Sequence, residues 1–397
     1  MVVRNNSVTD VHGLARPDCA SDPCSKHVRC EAAGFRYRFE GIEVGDSVSG
    51  AEISHNTVTN IPFGYGIYYG GGNTASKDAL IADNTIAAAF DYGIRVDSRG
   101  SGGRTRNVSI LRNHVTGSSP AGLLLSNTAD VRVISNTFTD SGPLSGVGVA
   151  PACVGCVMQG NAATGAAPRS IWGGKEKTDD KESYPSANER TTAATSRPIM
   201  TPLGVDCVVN GTARASCFGA NASDSTDILQ AALSSGASTV LIDDIGKPWI
   251  VRPLFVTAND SSIIFGRNVR LLAKRNEFHG YNDALLSFRG VRNITVVGNN
   301  ATLQMRRADY AVPSWGSCPS CRPYKKSEWR AGIMIAQSDD LRISGLNIVE
   351  SGGDGFYIHC APGCRNLHIS DCVADSNYRQ GMVGEQSSLT RLAYAVA

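Results

Sequence analysis

The sequence has no apolar run approaching the roughly 20 residues that a transmembrane helix needs. The opening residues, MVVRNNSVTD, lack the charged and apolar regions of a secretory signal peptide and read as the middle of a repeat. Neither charge is in excess, because the sequence has 38 Lys and Arg residues and 36 Asp and Glu residues, for a formal net charge of +2. We therefore expect no membrane span, and no nucleic-acid partner, because nucleic-acid binders concentrate basic residues on one face.

Clusters of good helix formers are rare as well. Glycine is abundant, at 42 of 397 residues, and Asn, Ser and Thr are plentiful. This composition is typical of many short strands joined by tight turns. The chain is predicted to be mostly β, and its length allows either two average domains or one elongated domain.

One short motif recurs in the first half of the chain: an aliphatic residue, two variable residues, Asn, one variable residue and an aliphatic residue. After the first copy, the copies lie 23 to 29 residues apart. Their asparagines are Asn6, Asn56, Asn84, Asn113, Asn136 and Asn161. Nine or ten residues after most of them, a glycine opens a run of alternating apolar residues, at Gly66, Gly93, Gly122 and Gly146.

The second half keeps this spacing with different letters. Leu346 and Cys372 stand in the Asn position, and glycine-led strands begin nine residues later at Gly355 and Gly381. Two strands per repeat in constant register predict a solenoid whose coils stack strand on strand in parallel sheets. Asparagines at equivalent positions are expected to stack and to hydrogen-bond from coil to coil.

The segment DSTDILQAALSSG predicts an amphipathic helix near residues 225–235, with Ile228, Leu229, Ala232 and Leu233 on one face. With the following STVLIDD, GKPWIVRPLFV and RNVRLLAK, it resembles the N-terminal entry of the pectin-lyase-like superfamily. The resemblance covers nearly all of the chain. It implies an all-β fold, a right-handed parallel β-helix, with one short N-terminal-type capping helix located mid-chain.

The order of these segments is unusual. Residues 1–167 are predicted to be later coils without a cap, 168–204 a polar linker, and 205–397 the cap and early coils. Either the coil from residue 381 onward abuts the first coil, as in a circular permutation, or the chain holds two separate short solenoids. The tail GEQSSLTRLAYAVA departs from the repeat, which is consistent with a truncation or an altered reading frame.

Residues just before each glycine-led strand are expected to share one corner of the coils. The turn SGGDG is predicted to let Asp354 project unshielded between Arg330 and Arg379, and these three are the catalytic candidates. The substrate-binding candidates are Glu328, Trp329, Asn377, Tyr378, Gln380, Tyr65, Asp91 and Tyr92, with His359 at the far end of a strand. The alternative is structural, because Asp in a glycine-rich turn often caps that turn.

The segments YKKSEWR, SGGDG and NYRQG are similar to those of uncharacterised β-helix proteins presumed to act on polysaccharides. Hydrolysis would need two carboxylates, for which Asp354 could combine with Glu328, Asp371 or Asp375. Lyase or epimerase chemistry would need a carboxylate neutraliser, either Arg or bound Ca²⁺, and a base such as Tyr378. A non-catalytic glycan-binding or structural surface protein is the alternative from another class. No cofactor is assigned, and Ca²⁺ stays possible.

Cysteine usage bears on location. The sequence has 12 cysteines, with close pairs at Cys153/Cys156, Cys207/Cys217, Cys318/Cys321 and Cys360/Cys364. Asn-x-Ser/Thr sequons occur at Asn5, Asn107, Asn210, Asn221, Asn259, Asn293 and Asn300. Local disulfides or free thiols are favoured over a zinc site, and an extracellular or cell-surface location is expected. We expect a monomer whose partner is a polysaccharide.

Overall fold

A computed structural model describes residues 1–11, 40–61, 64–71, 75–89, 92–98, 103–118, 121–139, 141, 147–149, 153–164, 207–280, 282–310, 330–360 and 363–385. The strands before residue 165 are β1 (Val2–Arg4), β2 (Ser7–Thr9), β3 (Ile42–Gly45), β4 (Ser49–Ser54), β5 (Thr57–Ile61), β6 (Ile67–Gly71), β7 (Lys77–Ala82), β8 (Thr85–Ala89), β9 (Tyr92–Ser98), β10 (Thr105–Leu111), β11 (His114–Thr116), β12 (Ala121–Ser126), β13 (Thr128–Ile134), β14 (Thr137–Thr139), β15 (Val147–Val149), β16 (Val157–Gln159) and β17 (Ala162–Thr164).

The elements after residue 206 include two short α-helices and one 3₁₀ turn, Ala215–Phe218. They are β18 (Val208–Val209), β19 (Thr212–Arg214), α1 (Thr226–Leu233), β20 (Thr239–Ile242), β21 (Trp249–Val251), β22 (Leu254–Val256), β23 (Ser261–Phe265), β24 (Arg270–Ala273), β25 (Leu286–Arg289), β26 (Arg292–Gln304), α2 (Arg307–Tyr310), β27 (Ile333–Ala336), β28 (Asp339–Val349), β29 (Phe356–His359), β30 (His368–Ser370), β31 (Val373–Asp375) and β32 (Met382–Glu385).

These strands form two long ladders, which confirms the predicted all-β parallel solenoid. Sheet B contains ten strands in the order β15-β12-β9-β6-β3-β32-β29-β27-β25-β22. Sheet A contains 22 strands, because most coils contribute two strands or one long strand to it. The strand pairings are parallel except that between β18 and β19. Each step from coil to coil is therefore one strand spacing, about 4.8 Å.

The spatial order of the coils differs from their order in the chain. Strand β32 lies between β29 and β3, with Met382 level with both Phe356 and Ile42. In sheet A, β1 likewise lies between β30 and β4. Strands from both ends of the chain are thus neighbours in the same two sheets. The boundaries 1–167, 168–204 and 205–397 stay predictions, since residues 165–206 lie outside the described residues.

The core consists of apolar side chains that repeat at the same position in successive coils. Ile42, Ile67, Ile94 and Leu123 form one such column in sheet B, and each is fully buried. Removing side chains of this size from water contributes about 1.5–3 kcal/mol each. Helix α1 covers the first coils by burying Leu229, Ala232 and Leu233, while Ile228 is half-buried against the same core.

The asparagine ladder is confirmed in full. In each of the five steps between the six asparagines, the side-chain Nδ2 donates to the Oδ1 of the asparagine in the next coil, at 2.8 to 3.0 Å. The same oxygen accepts the backbone N–H of the preceding asparagine, as between Asn84 and Asn113 at 3.0 Å. Cys372 holds the next place in this column, and its backbone N–H donates to Asn6 Oδ1 at 3.0 Å. Burial raises the pKa of the Cys372 thiol to about 12.

A second ladder, on the exposed turn of sheet A, is one that the repeat motif did not predict. Three asparagines each donate Nδ2 to an aspartate of the preceding coil, at 2.6 to 2.9 Å. The pairs are Asn107 with Asp78, Asn293 with Asp260, and Asn366 with Asp340. All six residues have φ between 53° and 59°, a left-handed conformation that Asn and Asp adopt more readily than most residues.

Three cysteine pairs in the described part of the chain are disulfides: Cys153–Cys156, Cys207–Cys217 and Cys360–Cys364. The closely spaced pairs are therefore local bridges in these three cases. Zinc was the alternative for the pair Cys153 and Cys156, and their bond removes the free thiols that a zinc site needs. Cys318 and Cys321 lie outside the described residues.

We predict that Asn113→Ala destabilises the fold by about 1–3 kcal/mol, because Asn84 loses the acceptor of both its backbone N–H and its side-chain amide. Denaturant unfolding followed by circular dichroism measures the change. Asn347→Ala is the matched control, since it removes one hydrogen bond of a half-buried asparagine in β28. Equal losses in the two variants would contradict a special role for the ladder.

Gly122 opens β12 directly opposite a ring of the core. A Cβ atom at Gly122 would lie 2.2 Å from Phe138 Cδ1, and its other close neighbours also belong to that ring. We predict that Gly122→Ala costs about 1–3 kcal/mol in the native protein and much less in a Phe138→Ala background. Gly66→Ala is the control. Its added Cβ would lie 2.4 Å from Ile86 Cγ2 and 2.6 Å from the Gly93 carbonyl oxygen, so an Ile86→Ala background removes only the first clash and should relieve the loss less.

Candidate functional site

Sheet B turns every second side chain away from the core, which defines an outer face. The core side of β9 carries Ile94 and Val96, so Arg95 and Asp97 point outward. Register aligns the outward residues of successive coils in two rows. The first outer row is Met334, Tyr357, Val383, Glu43, Tyr68, Arg95 and Leu124, and the second includes Ala336, His359, Gly45, Gly70, Asp97 and Ser126.

A buried polar cluster stands at the β6–β9 end of this face. Tyr68 donates its hydroxyl to Asp97 Oδ1 at 2.7 Å, and Arg95 donates Nε to Asp97 Oδ2 at 2.7 Å. Arg95 also donates Nη1 to the Tyr65 hydroxyl, and its guanidinium carbon lies 5.0 Å from the centre of the Tyr65 ring. Arg95 is 2% exposed and Asp97 is 1% exposed. We call Tyr65, Tyr68, Arg95 and Asp97 the Arg95 cluster.

A glycine makes room for this cluster. A Cβ atom at Gly70 would lie 2.9 Å from Asp97 Oδ1 and 2.2 Å from the Asp97 carbonyl oxygen. The Asp97 carboxylate can lean back along its row only because Gly70 has no side chain. The sheet geometry therefore leaves room for the Arg–Asp pair.

The corner before the glycine-led strands carries the second part of the site. Counting back two residues from the paired strand positions brings Asp354, Gln380, Glu40, Tyr65 and Tyr92 level with one another. We call these five residues the corner column. The Tyr65 and Tyr92 rings lie 6.0 Å apart at 32°. The corner column therefore ends in the Arg95 cluster.

The predicted stack of Arg330, Asp354 and Arg379 is offset by one position, although the Arg379 side chain still reaches Asp354. Register places Arg330 and Arg379 level with Gly353, so the residue level with Asp354 in the next coil is Gln380. The predicted unshielded Asp354 is also wrong, because its side chain is 0% exposed. Asp354 Oδ1 accepts the backbone N–H of Gln380 at 3.1 Å, and its Oδ2 lies 3.5 Å from Arg379 Nη1.

Arg330 is buried on the other side of the glycine turn. Its Nε donates to the Phe278 carbonyl at 2.9 Å and its Nη2 to the Gly280 carbonyl at 3.3 Å. Its guanidinium carbon lies 4.9 Å from the centre of the Tyr310 ring. A cation held by carbonyl oxygens and a ring face in this way braces the turn around Gly352.

Gln380 joins the corner column to the outer rows. Its Nε2 donates to Glu40 Oε2 at 2.7 Å and also to Glu43 Oε2 in strand β3. Its Oε1 is buried, and no donor in the described part of the chain reaches it. Glu43 and Tyr68 are neighbours in the first outer row, so polar groups continue from Asp354 to Asp97.

Two other predicted binding residues serve the turn itself. Asn377 is fully buried, and its side-chain oxygen accepts the Ser351 backbone N–H at 3.0 Å while its Nδ2 donates to the Ile348 carbonyl at 3.4 Å. Tyr378 is buried, and its backbone N–H donates to the Ser351 carbonyl at 3.3 Å. Both positions are consistent with the structural alternative for this corner. Glu328, Trp329 and Asp91 lie outside the described residues.

His359 lies on the outer face in the half opposite to the Arg95 cluster. Its ring stacks on Tyr357 with centroids 6.1 Å apart, and its Nδ1 has no partner within the described ranges. Burial, and then the positive charge of Arg289, lowers the pKa of the His359 imidazole. Tyr357 also belongs to a small buried apolar cluster with Ala284, Ala331, Met334 and Val383.

Two carboxylates offered as partners for Asp354 belong to sheet A. Asp375 ends strand β31, where its Oδ1 accepts from Thr9 Oγ1 at 2.9 Å, and Asp371 is a left-handed turn residue after β30. Among the residues that the structure describes, no group of three or more His, Cys, Asp or Glu side chains converges as a metal site requires. The described residues therefore provide no such ligand group for the Ca²⁺ ion that the sequence analysis kept as a possibility.

The residues that sequence reasoning missed are Glu43, Tyr68, Arg95 and Asp97. All four lie within glycine-led strands, where the sequence analysis considered only the apolar residues. A charged or hydroxyl-bearing residue at every second place of such a strand, as in GIRVD from Gly93, was the available signal.

The lowered pKa of His359 gives a prediction of pH dependence. The unfolded imidazole titrates near 6.5, so the unfolded chain binds more protons than the folded chain between the two pKa values. We predict that this part of the free energy of unfolding is complete above about pH 6.5 and is lost as the pH falls. Urea unfolding at pH 7.5 and pH 5.5 should show a smaller loss for His359→Gln than for the native chain.

The decrease should not vanish in that variant, because the pKa of His368 is also lowered, first by burial and then by nearby cations. His114→Gln, on an exposed position of β11, is the control and should keep the native pH dependence. A His359→Gln variant with an unchanged pH dependence would contradict the prediction.

The part of the chain that the structure describes contains no helix long and apolar enough to cross a membrane. A comparison with curated proteins gave no match. A comparison with family models matched residues 1–165 and 219–393 to the right-handed β-helix region. Since these two spans make up well over half of the sequence, the chain belongs to the family of right-handed β-helix proteins.

Proposed function

We propose that the outer face of sheet B binds an extended polysaccharide and that the protein cleaves or epimerises it there. The observation that carries this proposal is the Arg95 cluster, a buried Arg–Asp pair with two tyrosines on the side of the sheet that faces away from the core. The stacked apolar columns hold the fold together without it. Burying charges has a large desolvation cost, so buried ionic groups outside a core are candidates for function.

The extent of the site favours a chain-like ligand. From Asp354 to the Arg95 cluster, the corner column crosses five successive coils. Four strand spacings correspond to about 19 Å, the length of several sugar rings in a row. Tyr92, which is half-buried, supplies a ring face on which a sugar can stack, and Arg379, whose side chain is 11% exposed, supplies a cation at the edge.

The predicted catalytic residues take different roles in this proposal. Asp354 acts as a positioning residue, because it holds the backbone of Gln380 and the side chain of Arg379. Arg330 braces the same turn from the opposite side. The groups of suitable chemistry that face outward are Glu43, Tyr68 and Arg95, which support either hydrolase or lyase chemistry by type.

An extracellular or cell-surface location is part of the proposal. Three disulfides in the described ranges support it, because such bonds persist in oxidising compartments. We propose a monomer as the working unit, since one chain supplies the corner column and both outer rows.

Glycan binding without chemistry is the second candidate function. The stacked rings of Tyr357 and His359 on the outer face favour it, because ring faces bind sugars without an acid or a base. Binding alone would leave the Arg95 cluster without a chemical task.

The test uses a panel of uronic-acid-containing and neutral polysaccharides, with binding measured by affinity electrophoresis and cleavage by new reducing ends. We predict that Asp97→Asn retains binding of the responsive glycan and lowers turnover by about 100-fold or more. Tyr68→Phe removes only the hydroxyl that is bonded to Asp97. It should also lower turnover, and it should change the thermal unfolding temperature less than Asp97→Asn does.

Asp83→Asn is the matched control. It also breaks an Arg–Asp pair, with Arg112 donating to both Asp83 oxygens at 2.7 Å, but that pair is exposed on sheet A. Its turnover should equal that of the native protein. Binding with no product from any glycan would favour the non-catalytic alternative, and the absence of binding would overturn the proposal.

A further inference from the structure

Two carboxylates on the outer face of sheet B converge on a single amide nitrogen. Gln380 Nε2 donates to Glu40 Oε2 at 2.7 Å and also to Glu43 Oε2. Two oxygens that accept hydrogen bonds from one nitrogen lie within about 6 Å of each other. The carboxyl groups of Glu40 and Glu43 are therefore a close pair, although residues 41 and 42 separate them in the sequence and one is on the corner while the other is on the strand.

The Gln380 amide between them is held in place, and its oxygen is an unused hydrogen-bond acceptor among the described residues. Gln380 is 0% exposed, and the Asp354 carboxylate holds its backbone N–H at 3.1 Å. Its Nε2 is used by the two carboxylates, while its buried Oε1 has no donor in the described part of the chain. A buried acceptor without a donor costs free energy, so this oxygen is suited to receive a hydroxyl of a bound ligand.

Glycines flank Glu43 in the second outer row. The next outward position in strand β3 is Gly45, where a Cβ atom would lie 3.2 Å from the Gly70 carbonyl oxygen and 3.8 Å from Glu43 Oε1. In the following coil the same row has Gly70. Without side chains at these two positions, Glu43 stays partly exposed, and a sugar can reach its carboxylate from that exposed side.

We propose that Glu43 and Glu40 are the nucleophile and the acid/base of a glycoside hydrolase that retains anomeric configuration. This inference rests on the proposed polysaccharide function and selects hydrolysis among its possible reactions. Carboxyl groups about 5–5.5 Å apart are typical of retaining enzymes, whereas inverting enzymes need about 6.5–9.5 Å to fit a water between them. The shared amide favours the smaller separation, because one oxygen of each carboxylate lies within hydrogen-bond distance of the same nitrogen.

In the first step, a Glu43 carboxylate oxygen bonds to the anomeric carbon while the glycosidic C–O bond breaks. The leaving oxygen takes the proton of the Glu40 carboxyl group. In the second step, Glu40 removes a proton from water as that water's oxygen attacks the anomeric carbon, and the bond to Glu43 breaks. The products are two shorter glycans, and both carboxyl groups regain their starting protonation. Glu43 is the nucleophile because its side chain is partly exposed on the strand, while Glu40 is buried.

The experiment uses the full chain and the glycan identified in the panel above. We expect Glu43→Gln and Glu40→Gln to lower turnover by about 10²–10⁴-fold while affinity electrophoresis still shows binding. Glu350→Gln is the matched control, since the Glu350 carboxylate also accepts from a glutamine amide, Gln304 Nε2 at 2.7 Å, at a site in sheet A. This variant should keep native turnover.

Two readouts separate the mechanism from a loss of folding. Proton NMR of the first products should show the anomeric configuration of the substrate. Azide should restore cleavage in Glu43→Ala by forming a glycosyl azide of the opposite configuration, and it should not do so in Asp97→Asn.

Products with an unsaturated ring, seen as absorbance near 235 nm, would overturn the hydrolase assignment and leave the proposed function standing. So would inverted products, or native turnover in Glu43→Gln. A glycan that binds without being cleaved would also overturn the carboxylate pair as catalytic groups. The absence of glycan binding would overturn both the pair and the proposed function, and binding with no product of any kind would overturn the pair and favour the non-catalytic alternative.

Discussion

The vertical stacking of equivalent residues, at one strand spacing per coil, is the constraint on which the molecule depends. Each side chain has the same position of the next coil as its nearest neighbour, so a residue type is stable only if it suits its own kind above and below. Asparagine satisfies this rule through its amide, isoleucine and valine through their shape, and glycine by its absence of a side chain. The two sheets, the core and the outer face all follow from that register.

Much of the fold could be predicted from the sequence because this constraint leaves a periodic trace. The spacing of Asn56, Asn84 and Asn113 located the turns, and it placed Cys372 correctly in a column that has no asparagine at that point. The exposed Asp–Asn ladder escaped notice because its members alternate between two residue types and have no fixed apolar neighbours. What identifies them is a left-handed backbone, which sequence letters indicate only weakly.

The candidate site was predicted less well, because the repeat locates residues less precisely than a site requires. Periodicity fixes a corner to within about one residue, and one residue decides which face a side chain reaches. Arg330 and Arg379 were expected on both sides of Asp354 but lie level with Gly353, so the carboxylate meets the backbone N–H of Gln380 and the guanidinium of Arg379, while Arg330 turns to the Phe278 carbonyl. Whether glycine leaves a turn open or lets neighbours close over it depends on packing between coils, and the SGGDG turn is closed.

Strand β1 lies between β30 and β4, and β3 lies next to β32, so the middle of the solenoid is assembled from residues more than 300 positions apart. During synthesis on a ribosome, the coils made first keep a bare sheet edge until the coils made last emerge. Such long-range pairing raises contact order and slows folding, and the waiting edge is a template for pairing with other chains. The same adjacency that completes the outer face therefore leaves the nascent chain open to aggregation until its last coils are made.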